Sequence, residues 1–174
     1  MQACETVPQM LMQPEAQGSR PEHAFNTYRF FTTFPMANDP AKFQIWLVED
    51  SEADELLMRQ ALKLGGMECE FRVSEDGEKA IAFIEALDKT DSGAGPHVVL
   101  LDLNLPRKSG AKVLERIRQS PKCGRVPVVI VTSSDSPGDK GQATRLGATR
   151  YFQKPLDLGE FMKLGPLVRE ILGV

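Results

Sequence analysis

Cysteine is scarce in this chain, at three among 174 residues. Cys4, Cys69 and Cys123 are far apart and odd in number, which argues against both a disulfide framework and a metal knuckle. A reducing, cytoplasmic setting is the expectation. Lysine and arginine nowhere gather into a basic stripe, and the net charge is −3. That excludes the usual electrostatic footprint of nucleic-acid binding, so no direct DNA contact is expected. No apolar run approaches the roughly 18 residues of a membrane span. The N-terminus also lacks the basic-then-apolar pattern of a secretion signal, so no membrane association is expected. The remainder is ordinary for a globular chain, 41% hydrophobic and 26% charged.

Helix and strand signals are missing from residues 1–42. Pro8, Pro14, Pro21, Pro35 and Pro40 interrupt both kinds of regular structure, and the segment is expected to be disordered. Its aromatic cluster of Phe25, Tyr28, Phe30, Phe31 and Phe34 is the exception, a docking patch being the alternative to a solvated tail. Met36 opens "MANDPAKFQIWLVED" just ahead of the first strand signal. The expectation is that translation starts there and that residues 1–35 come from an over-long gene boundary. A native mass that includes those residues would exclude it.

From residue 43 the chain alternates. "FQIWLV", "ECEFRV", "HVVLLDL", "VPVVIVT" and "TRYFQK" read as strands, the second weakly. Between them lie helical patterns. The first, "SEADELLMRQALKL", has Ser51 and Asp54 placed as a capping box and Gly65-Gly66 as its stop. The second, over 77–87, puts Ala80, Ile81, Ile84 and Leu87 on one face, and the third, over 110–119, turns Val113, Leu114 and Ile117 inward. A fourth is expected over about 137–146 and a last over about 158–172, with Gly165-Pro166 kinking or restarting it. Gly138 and Gly141 should make the fourth helix the softest element. Alternating strands and helices imply βαβ units, right-handed crossovers and a doubly wound α/β fold. Residues 43–174 suffice for one such domain of five parallel strands, with helices on both faces of the sheet.

The carboxyl ends of these strands carry polar residues. Glu49-Asp50 follow the first, Asp102 the third with Asn104 two residues on, Thr132-Ser133-Ser134 the fourth, and Lys154-Pro155 the fifth. Parallel strands bring these ends to one edge, where open α/β sheets bind ligands. Each has a plainer reading alone: acids that begin a helix, loop hydroxyls, a common strand exit. Asp102 is harder to dismiss, because a buried carboxylate is costly unless compensated. Clustered acids call for a cation among them, and hard oxygen donors suit Mg²⁺ (or Mn²⁺). Phosphoryl transfer to a carboxylate fits the set. Asp102 would be the nucleophile, Lys154 and the metal would neutralise charge, and the Thr132 hydroxyl would bond a phosphoryl oxygen.

"VEDSEAD", "LLDLNLPRKSG", "VIVTSS" and "GATRYFQKP" together resemble the receiver domain of two-component response regulators, and the resemblance covers residues 43–174. It implies the flavodoxin-like strand order 2-1-3-4-5 and a domain that accepts a phosphoryl group from a histidine kinase. By position, Asp102 matches the phosphoacceptor. Glu49, Asp50, Asp102 and the backbone carbonyl of Asn104 match the metal ligands. Thr132, Ser133 and Lys154 match the phosphoryl-binding set, Thr132 and Tyr151 the switch pair, and Lys154–Pro155 a cis-peptide candidate. "DKTDSGAGP" and "DLNLPRKSG" look most like stand-alone regulators paired with bacterial phytochromes, so a phytochrome-like sensor kinase is the implied donor. The implied output is contact with a downstream protein, onward phosphotransfer, or a homodimer through the fourth helix, fifth strand and fifth helix.

Two other readings stand beside this one. Aspartyl-phosphate phosphatases and mutases need a second acid two residues after the nucleophile; here that residue is Asn104. No enzymatic activity is therefore expected beyond self-phosphorylation and dephosphorylation. A non-phosphorylated interaction scaffold is the remaining alternative, disfavoured because every reactive position is filled.

Overall fold

The computed structural model describes residues 42–91 and 94–174. The expectations for residues 1–41, namely disorder, the aromatic cluster and the start at Met36, fall outside the described residues, as do two positions of "DKTDSGAGP".

Among the described residues five strands form one parallel sheet: β1 (Phe43–Val48), β2 (Cys69–Ser74), β3 (Val98–Leu101), β4 (Val128–Thr132) and β5 (Arg150–Gln153). Their order is β2-β1-β3-β4-β5, as the resemblance implied. β3 and β4 are buried at every residue, which is why they read as unbroken apolar runs. Side chains alternate across the sheet. Ile45, Leu47, Val98, Leu100, Val129 and Val131 join one core with Met58, Leu62, Phe161, Leu164 and Val168. Trp46 points to the other face, where its ring meets Phe83 edge-on at 4.8 Å.

The helices are α1 (Glu52–Leu64), α2 (Gly77–Asp88), α3 (Gly110–Gln119), α4 (Pro137–Arg145), α5 (Leu158–Phe161) and α6 (Leu164–Leu172). α1 packs with α6, and α2 and α4 each pack with α3. Six helices stand among the described residues where the sequence shows five patterns, because the last one restarts. The expected restart has a packing reason as well as a local one. A Cβ on Gly165 would lie 2.2 Å from the Ala61 carbonyl oxygen, so α6 approaches the α1 backbone only because that residue is glycine. In α2 the inward face is broader than the sequence suggested. Ile81 is half-buried, while Phe83 is buried against Trp46.

Candidate functional site

The sheet delivers the reactive residues by continuing its ladders past the strands. Glu49 N–H donates to the Ser74 carbonyl (3.0 Å), Asp102 N–H to the Val48 carbonyl (3.0 Å) and Lys154 N–H to the Thr132 carbonyl (2.8 Å). The chain therefore enters the site still held as sheet. Glu49 is 2% exposed and Asp102 5%, whereas Asp50 is exposed. Asn104 N–H donates to Asp102 Oδ1 (3.0 Å), orienting the carboxylate from its own loop.

Lys154 is the centre of charge. Its ammonium lies 2.8 Å from Glu49 Oε2, 2.6 Å from Asp54 Oδ2 and 2.9 Å from Asp102 Oδ2. This compensates the carboxylate that the apolar strand carries inward. Burial pulls the Lys154 ammonium down, but hydrogen bonds to Asp54, Glu49 and Asp102 outweigh it and hold the group above its ordinary value. Burial pushes the Glu49 carboxyl up, against the lowering effect of Lys154. One ammonium among several acids leaves the pocket negative.

Carboxylate oxygens of Glu49, Asp50 and Asp102 lie within 4.8 Å of one another. Three hard oxygen donors, one of them solvent-facing, suit a hydrated divalent cation such as Mg²⁺ or Mn²⁺. The chemistry of the donor set therefore fits the ion expected from the sequence.

Thr132 ends β4 with no exposed surface, and its Oγ1 accepts from the Ser134 N–H (3.4 Å). Leu101 pairs with Ile130, so Thr132 sits one residue beyond the level of Asp102 on the neighbouring strand. Ser133 is exposed. The half-buried Tyr151 donates from its hydroxyl to the Ser134 carbonyl (2.9 Å), and Lys140 Nζ lies 5.6 Å from its ring centroid. Burial, ahead of the nearby acids, pushes the Tyr151 phenol up. Ser134 thus connects Thr132 to Tyr151.

Two points differ from the sequence expectations. The Lys154–Pro155 bond is trans, as are all peptide bonds among the described residues. The two isomers of such a bond differ by only about 0.5–1 kcal/mol, and the trans chain already carries Lys154 to all three acids. Asp54 was read only as part of a capping box, yet its carboxylate holds Lys154. The available signal was its place in the first turn of α1, four residues after Asp50.

The family model for the response regulator receiver domain matches residues 45–164. Response regulator Rcp1 of Synechocystis is 37% identical over 120 residues, 69% of this chain and 82% of that protein. Among solved structures, the phosphorylated cyanobacterial phytochrome response regulator RcpA is 31% identical with a TM-score of 0.67, covering 76% of this chain and 94% of its own. The Mn²⁺-bound form of Rcp1 is 34% identical with a TM-score of 0.66, covering 75% and 94%.

Proposed function

The chain belongs to the response regulator receiver family, whose members act in phosphorelay signalling, and on that premise we propose that Asp102 is its phosphoacceptor. The observation that carries this is the Lys154 ammonium, 2.9 Å from Asp102 Oδ2, with both side chains largely buried. An Asp102 oxygen attacks the phosphorus of a kinase phosphohistidine. The P–N bond breaks, an acyl phosphate forms, and the imidazole nitrogen keeps the electron pair. Lys154 neutralises the incoming charge, and the Thr132 hydroxyl bonds a phosphoryl oxygen. Glu49, Asp50, Asp102 and the Asn104 carbonyl would hold Mg²⁺ or Mn²⁺, which supplies further charge neutralisation when bound. Ser133, at the exposed rim, completes the phosphoryl-binding set.

Thr132 and Tyr151 form the switch. Drawing Thr132 toward the phosphoryl group alters the Ser134 segment that holds the Tyr151 hydroxyl, and so repacks α4 against β5. The donor is a sensor histidine kinase of the phytochrome-like type, a reading supported by similarity to the cyanobacterial phytochrome response regulator RcpA and the bacteriophytochrome response regulator RtBRR. β5 is an edge strand, which supports output through the surface of α4, β5 and the α5–α6 segment to a downstream protein, a phosphotransfer partner or a second copy. The cytoplasm is the proposed location; no helix among the described residues is long and apolar enough to cross a membrane.

The test is incubation of the full chain with Mg²⁺ and a small phosphodonor, followed by intact mass. Wild type should gain one phosphoryl group and Asp102→Asn none. A wild type that gains nothing would leave the scaffold reading.

A further inference from the structure

Asp54 occupies the third position of α1, but its side chain does not close a capping box. A reciprocal cap would send its carboxylate back to the Ser51 N–H. That N–H instead donates to Glu49 Oε1 (3.2 Å), and the cap rests on Asp54 N–H donating to Ser51 Oγ (3.3 Å). The Asp54 carboxylate reaches over to Lys154 Nζ at 2.6 Å, the shortest of the three contacts that ammonium makes with acids.

An ammonium has three N–H donors, and Glu49, Asp54 and Asp102 each accept from it. Two of those acceptors have a second task, since Glu49 and Asp102 also belong to the cluster able to hold a cation. Asp54 stands outside that cluster. We propose that Asp54 is a positioning residue that gives Lys154 a partner outside the metal-binding acids, so that the ammonium stays beside Asp102 when Glu49 and Asp102 take a divalent cation. This rests on the role given to Asp102 and its neighbouring acids above.

Two effects of removing the Asp54 charge act in the same direction. The ammonium keeps only Glu49 and Asp102 as partners and competes with the cation for both. The pocket also loses one negative charge near the cation. A carboxylate that merely restrained Lys154 from acting would have the opposite signature, since its loss would leave the site readier to load.

The experiment is calorimetric titration of the full chain with Mg²⁺ alone, on wild type, Asp54→Asn, Asp54→Glu and Glu52→Gln. Asp54→Asn should bind Mg²⁺ about three- to tenfold more weakly, the order expected for one nearby charge at high effective dielectric. Asp54→Glu should recover most of that loss. Glu52→Gln removes an exposed acid from the same turn and should bind as wild type does. In metal-free protein, ¹⁵N NMR should detect a protected Lys154 ammonium in wild type and lose it in Asp54→Asn. Asp54 is 30% exposed in its side chain and its cap contact is through the backbone, so the variants should fold. Wild-type Mg²⁺ affinity in Asp54→Asn, tighter binding there, or an equal loss in Glu52→Gln would each overturn the proposal. A wild type that binds no Mg²⁺ would overturn the functional reading itself, and this one with it.

Discussion

A Cβ added to Gly110 would lie 2.0 Å from the carbonyl oxygen of Asp102 and 2.7 Å from the Cα of Leu103. The first residue of α3 thus rests on the main chain of Asp102, the proposed phosphoacceptor. Gly110 N–H also donates to the Leu103 carbonyl (2.9 Å), closing the loop that carries Asn104. Both contacts are with backbone, so no flexible side chain can move aside. α3 therefore sets how far Asp102 projects from the sheet edge.

Gly110→Ala should consequently force the Asp102 loop to shift. The expected cost is about 1–3 kcal/mol in urea unfolding, the range for overpacking a dense site. Phosphoryl incorporation, followed by intact mass, should fall with it. Wild-type stability in this variant would show the loop to be looser than the contact implies.

α4 should be the softest helix. Its one buried residue is Ala143, and few buried contacts mean a low cost of local opening. A Cβ at Gly141 would meet only the Arg145 guanidinium, at 3.3 Å, which is the far end of a flexible side chain. Gly141→Ala should therefore stabilise the helix by about 0.5–1 kcal/mol and slow its amide exchange. Wild-type exchange in α4 as slow as in β3 would contradict this.

Asp88 ties α2 to α3. Its Oδ2 lies 2.7 Å from Arg116 Nη2, and its Oδ1 accepts from the Ser120 hydroxyl. Burial acts to raise the Asp88 carboxyl, but hydrogen bonds from Ser120 and Arg116, with the Arg116 charge, outweigh it and hold the group below the usual carboxylate range. A carboxyl depressed on folding contributes stability above its unfolded value, near 3.9. That contribution is lost as pH falls through the folded value. Asp88→Asn should cost about 1–2 kcal/mol at neutral pH, allowing for partial screening. It should also flatten the acid limb of stability below about pH 4. Parallel pH–stability curves for variant and wild type would rule this out.

Local periodicity made most of the fold legible. β1 matched its apolar run residue for residue, and α3 matched both its bounds and its inward face. β2 was faint because five of its six residues are only half-buried. Phe83 was missed because an α-helix packing on a sheet buries a stripe wider than one row of side chains. The trans bond before Pro155 was misjudged because the isomer preference is too small to be fixed by residue type.

The strand pattern alone places Glu49, Asp102, Thr132 and Lys154 on one edge, because parallel strands of known direction leave no other place for their ends. Tertiary structure decided which of those groups touch. Lys154 reaches Glu49 across 105 residues of chain and Asp54 across 100. The choice depends on the register between distant strands, the rotation of α1 above the sheet and the rotamers of four charged side chains. None of these is encoded in a local pattern. A strand end can be read from its own residues, but the partner of a charge is fixed only once the elements have packed.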